Sequence, residues 1–145
     1  MALIMLLSSH QEYRTAVLAT ADGDLDTARS NFELLAQIAE DEGDTVRLSY
    51  ILQMLGDVEA RAGNLDIGHA YHRRAVGLCP NIPLVLLHYA NGLRSAFNSP
   101  GLASDQINAA ERLLNSKDWD TDADNISRSW YTRRIAELRD ADGMP

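Results

Sequence analysis

Lysine is almost missing from this 145-residue chain. Lys117 is the only one, and the acidic residues outnumber the basic ones 21 to 13, for a net charge of −8. That balance excludes a surface built to track phosphates, so neither nucleic acid nor an anionic membrane is an expected partner. Cysteine is as scarce. Cys79 stands alone, which excludes an internal disulfide and a multi-thiolate zinc site and fits a reduced thiol in the cytoplasm. Nine glycines and four prolines are too few for a collagenous or low-complexity chain, and no convincing run of alternating apolar and polar residues reads as a strand. Apolar runs long enough to span a bilayer are also missing. The apolar opening from Met1 to Leu7 has no preceding cation and no small-residue cleavage site, so it reads as the start of a packed element.

What is present is a composition 46% apolar and 23% charged, which suits one folded domain over residues 1–145. Apolar residues recur three and four apart through nearly the whole chain, the period of helices with one buried face. Helix-stopping and capping residues gather at Asp22-Gly23-Asp24, Asp41 to Asp44, Gly63-Asn64, Pro80-Asn81, Asn98 to Gly101 and Lys117 to Asp122. These breaks predict an all-α fold of about seven helices, near 8–21, 25–41, 44–62, 65–79, 83–97, 100–116 and 124–140. Short connections between helices of this length predict consecutive antiparallel pairs.

The second pair carries small residues at telling intervals. Gly56 stands seven before the turn at Gly63-Asn64, Gly68 and Ala75 stand seven apart beyond it, and Pro80 closes the unit. In this the chain resembles the tetratricopeptide repeat family, whose unit is a helix-turn-helix of about 34 residues. Ala16, Gly23-Asp24-Leu25, Ala28 and Phe32 match the same pattern in the first pair, and Asn91, Ala103, Ile107 and Ala110 match it less fully in the third. The resemblance implies hairpins at about 9–42, 44–80 and 82–116, stacked as a short right-handed superhelix, with a capping helix at about 124–140. The turn glycines at 23 and 63 lie 40 apart, so the first unit is about six residues longer than the family's, near Ala39 to Asp44. In the last segment Trp130, Tyr131, Ile135 and Leu138 form the inner face, with Ile126 ahead of them and Arg128, Arg133, Arg134 and Arg139 opposite.

Chemistry-bearing constellations are sparse. His69 and His72 stand three apart, close enough on a helix to share a zinc or nickel ion. In the repeat frame, however, His72 takes a packing position and His69 points outward, so no metal or other cofactor is expected. Asp118, Asp120, Asp122 and Asp124 alternate as calcium ligands do, yet Ala123 stands where the loop needs glycine and Ser129 where it needs a bidentate glutamate. No nucleophile elbow, phosphate-cradling loop or dinucleotide fingerprint occurs, and Cys79 before Pro80 reads as a structural thiol. A non-catalytic protein is therefore expected, with a metal-dependent or thiol enzyme using Cys79 and His72 as the reading from another class.

The resemblance implies a groove lined by the first helix of each pair. Its positions fall on His10, Tyr13, Val17 and Thr20, then Tyr50, Gln53, Asp57 and Arg61, then Val85, His88, Gly92 and Ser95. It implies a cytoplasmic adaptor or scaffold that takes a peptide or helix of a partner protein. A dedicated chaperone or inhibitor of one secreted or toxic protein is the alternative. Repeats that clamp a C-terminal carboxylate place Lys, Asn and Arg at these positions, so acidic tails are not expected ligands. The apolar segment before residue 8 is expected to support a homodimer.

Overall fold

A computed structural model describes residues 11–116 and 127–141. It is all-α, with seven helices among those residues: α1 (Gln11–Asp22), α2 (Leu25–Asp41), α3 (Thr45–Arg61), α4 (Leu65–Leu78), α5 (Pro83–Arg94), α6 (Pro100–Leu114) and α7 (Arg128–Ala141). His10, the segment 1–9, Ile126 and the aspartates from 118 to 124 lie outside the described residues, as do the expectations that fall on them. Among the described residues no helix is long and apolar enough to cross a membrane.

Three turns of one design join the first four helices. Gly23, Gly43 and Gly63 adopt φ of 81°, 69° and 87°, a left-handed conformation that costs glycine nothing. At each turn the glycine N–H and the next N–H return to carbonyls of the helix just ended. Asp24 binds Ala19 at 2.8 Å, Asp44 binds Ala39 at 2.9 Å and Asn64 binds Glu59 at 2.9 Å. Asp24 and Asp44 then cap the following helices, their carboxylates accepting from the N–H of Thr27 and Arg47. The join between the first two hairpins therefore uses the same turn as the hairpins themselves, and the wide spacing of Gly23 and Gly63 is filled by two helices of 17 residues each. Pro83 and Pro100 occupy the first turns of α5 and α6, where a missing N–H is harmless.

Neighbours in sequence are neighbours in space. Phe32, Leu35, Leu48, Ile51, Leu52, Leu55 and Val58 form one buried cluster with Ala16, Ala28 and Ala75. Leu86, Leu87, Ala90, Ile107, Ala110 and Leu114 form another, and α7 covers it with Tyr131, Ile135 and Leu138. The inner face expected of the last helix is thus the one that packs. Arg139 pins it from outside, reaching Glu111 at 2.8 Å and Asn108 at 2.9 Å. Ser127 starts α7, its Oγ accepting from the Trp130 N–H at 3.2 Å.

The tightest contact is between α3 and α4. A Cβ on Gly68 would stand 2.7 Å from the Gly56 carbonyl oxygen, and one on Gly56 would stand 2.9 Å from the Gly68 carbonyl and 2.5 Å from the His72 ring. Only two glycines let these backbones touch. Helix α5 ends at Arg94, three residues before the position the sequence predicts. The chain folds back there, with Phe97 N–H on the Gly92 carbonyl at 3.0 Å and Ser99 N–H on the Leu93 carbonyl at 2.6 Å. Asn98 takes the left-handed conformation this requires, with φ of 46°. The reversal lays Phe97 over Gly92, where a Cβ would stand 3.2 Å from its ring.

Glu59 ties three elements together. It is buried, accepts from Arg29 of α2, and takes the Asn64 side-chain N–H of the next turn at 2.8 Å. The Arg29 bond, against an opposing push from burial and with help from Asn64, holds the Glu59 carboxyl below its ordinary 4.5. A depressed carboxyl stabilises the fold above its unfolded value and loses that contribution as pH falls. Glu59→Gln is accordingly expected to cost about 1–3 kcal/mol at pH 7 in chemical denaturation, with the gap to wild type closing below pH 4.5; a gap that held constant to pH 2 would contradict this ion-pair role. Glycine exchanges on α4 test the crossing. Gly68→Ala is expected to destabilise by about 1–3 kcal/mol. Gly77→Ala on the same helix meets nothing within 4 Å and is expected to be neutral or to gain up to about 1 kcal/mol; equal effects at the two sites would refute the close approach.

Candidate functional site

The α3–α4 crossing makes a seat for one imidazole. His72 is fully buried, with its ring against the open faces of Gly56 and Gly92. Tyr89 stacks on it at 5.7 Å between ring centres, and Phe97 and His88 meet it edge-on at 5.6 and 5.4 Å. Held on these sides, the ring points Nε2 at Asp57 Oδ1, 3.0 Å away. His88 Nε2 approaches the other oxygen, Oδ2, at 2.8 Å. A carboxylate on α3 is thereby bracketed by imidazoles from α4 and α5. Burial pushes the Asp57 carboxyl up, but hydrogen bonds from His72 and His88 and attraction to both rings outweigh it and hold the group well below the ordinary carboxylate range.

His69 does not join this cluster. The expected outward position is corrected: its ring is half-buried, stacked on Phe97 at 5.2 Å and hydrogen-bonded to the Tyr89 hydroxyl. Burial, with repulsion from Arg73 and His72 against a smaller pull from Asp66, pushes the His69 imidazole down. The metal pair suggested by the three-residue spacing is therefore not brought together, and His72 turns to a histidine of the next hairpin.

Around Asp57 the surface is hollow. Val17, Thr20 and Ala21 of α1 and Met54, Asp57 and Arg61 of α3 line a depression of about 250 Å³, floored by Phe32. A second of about 310 Å³ runs from Asp57, Ala60 and Arg61 to Asn91, Gly92 and Ser95. A third of about 450 Å³ continues from Leu84, His88 and Asn91 to Trp130, Arg134 and Glu137 of α7. Shared residues join them in series: Asp57 and Arg61 link the first two, Asn91 the second and third. The channel crosses α1, α3, α5 and α7.

Of the predicted groove residues, Val17, Asp57, Arg61 and His88 line this channel, as do Thr20, Gly92 and Ser95. Tyr13 is half-buried and packs edge-on against Phe32, 6.2 Å between ring centres. Tyr50, Gln53 and Val85 are corrected to interior positions. Tyr50 is 4% exposed and belongs to the core, and Gln53 is fully buried, its Nε2 donating to the Val85 carbonyl at 2.8 Å to tie α3 to α5. Arg61 is exposed and donates to the Thr20 carbonyl at 3.2 Å, both residues lining the first depression. Cys79 is buried, with its thiol directed at the Thr45 carbonyl. Met54, Asn91, Trp130 and Arg134 were not among the expected groove residues, although the sequence places Asn91 in the third hairpin and Trp130 and Arg134 on the last helix. The period-seven repeat frame marks one stripe of each first helix, whereas the channel also uses the flanking stripe and the last helix. No family model, curated protein or solved structure matches the chain.

Proposed function

We propose that the protein is a non-catalytic interaction module of the tetratricopeptide type, a cytoplasmic adaptor that holds a segment of a partner protein in the channel along α1, α3, α5 and α7. The observation that carries this reading is the continuity of three depressions across the alternate helices of a hairpin stack. Successive hairpins each present one helix to the same side, so a partner segment meets every unit in turn. The lining suits a peptide or helix: Val17 and Met54 offer apolar contact, Trp130 an aromatic face, and Asp57, Asn91 and Arg134 polar anchors. Cytoplasmic residence rests on the lone cysteine.

The test is binding from native extract, with identification of what is retained. The double variant Val17→Glu, Ser95→Glu changes two exposed positions in the channel, and Glu33→Lys on the exposed side of α2 serves as control. The expected result is one partner held by wild type and by the control and lost, by tenfold or more in affinity, from the channel variant with its helicity unchanged. Equal retention by all three forms would move the binding face elsewhere.

A further inference from the structure

We propose that Asp57, His72 and His88 form a binding site for a divalent transition-metal ion of the zinc and iron(II) class. The site opens on the channel and is independent of whichever protein the channel holds. One carboxylate oxygen and two imidazole nitrogens all lie within 4.8 Å of one another, and they come from three helices, α3, α4 and α5. Side chains that only happen to share one helix face would not converge this way; each donor here is delivered by a separate element.

The geometry is close to what an ion needs. Bonds of about 2.0–2.2 Å to nitrogen and oxygen in a tetrahedral site put ligand atoms roughly 3.3 Å apart. His72 Nε2 lies 3.0 Å from Oδ1 and His88 Nε2 2.8 Å from Oδ2, and with one oxygen chosen all three donor atoms stay within 4.8 Å, so an entering ion draws the two nitrogens toward a shared point beside the carboxylate. His72 is preorganised by its seat on Gly56 and Gly92 and by the stacked Tyr89 ring. Its Nδ1 is buried and has no partner among the described residues. Moving the ring proton from Nε2 to Nδ1 frees Nε2 to bind metal and leaves a buried N–H without an acceptor, a cost that the coordinate bond has to exceed.

Access and charge agree. The side chains of Asp57 and His88 are 39% and 23% exposed, both on the channel wall, whereas that of His72 is closed to solvent. An ion that reaches the cluster exchanges two N–H···O contacts for three coordinate bonds, and the three side chains leave the fourth position of a tetrahedral ion unfilled. Two imidazoles and one carboxylate suit zinc, iron(II), cobalt(II) and nickel(II), and are too few oxygens and too soft a set for calcium or magnesium. Three protein ligands with an open fourth position distinguish such a site from a closed structural one.

The experiment titrates the full chain, purified metal-free, with Co(II) at pH 7 and follows the visible absorption of the ion, with Zn(II) as competitor. The expected result is one equivalent of Co(II) with a low-symmetry visible spectrum, displaced by one equivalent of Zn(II). His88→Ala and Asp57→Asn should each weaken binding at least tenfold, while His69→Ala should leave it unchanged. Absence of saturable one-to-one binding, or binding that survives both His88→Ala and Asp57→Asn, overturns the proposal. Imidazole nitrogen resonances of the wild type read the site without a variant: Zn(II) should move Nε2 of both His72 and His88. Shifts confined to His10 and His69 would equally refute it.

Discussion

Two glycine backbones in contact, Gly56 on α3 and Gly68 on α4, set the geometry on which the rest of the molecule depends. The close crossing leaves no room for a Cβ on either side, and the space it does leave is filled by the His72 ring. A larger residue at Gly56 would collide with that ring first. Because His72 is fixed, Asp57 is fixed, and because Asp57 holds His88 as well, α5 is aligned to α3 through a polar contact in the wall of a solvent channel. Phe97 closes the same cluster from the far side, and the early end of α5 is the backbone adjustment that puts it there. Packing, electrostatics and surface shape thus meet at one crossing.

The remainder of the stack is built from repeated local devices. Three glycine turns with the same return of N–H groups to the ending helix link α1 to α4, and aspartate caps start the helices after the first two. Polar residues inside the stack are used as ties: Ser49 donates to the Ala75 carbonyl at 2.9 Å within the second hairpin and Gln53 to that of Val85 in the next, each satisfying a buried donor while fixing register. The buried Glu59 does the same work with Arg29 between the first two hairpins. Beyond α6 the stack would present an apolar face, and α7 covers it with Tyr131, Ile135 and Leu138.

Helix content and most boundaries were legible in the sequence because glycine, proline and capping residues act over a few positions. The start and stop of α2 are as predicted, and those of α3, α4 and α6 differ by at most two residues. The end of α5 was not legible, since the early reversal through Asn98 goes with a long-range contact, Phe97 on His69 and His72 of α4, that spacing along the chain does not reveal. The small residues at 56, 68 and 75 were legible as packing positions, for the same steric reason that makes them glycine and alanine. Asp57 and His88 were each assigned to the groove face, but their meeting, and the turn of His72 toward them, depended on how one hairpin sits on the next. Spacing along one helix pointed to His69 instead. Tyr50 and Gln53 were misplaced because adjacent stripes of a helix buried on nearly every side are not distinguished by polarity: Gln53 is polar and fully inside.

The channel along α1, α3, α5 and α7, with an anchored carboxylate in its wall, is the face on which we propose that a partner is held. The most direct measurement is site-specific photo-crosslinking in intact cells, with the reactive side chain at position 17 or 95 in the channel or at position 33 on α2. Crosslinks from 17 and 95 to neighbouring segments of one protein, and none from 33, are the result this account predicts. Crosslinks from 33 alone would contradict it and assign binding to the opposite surface.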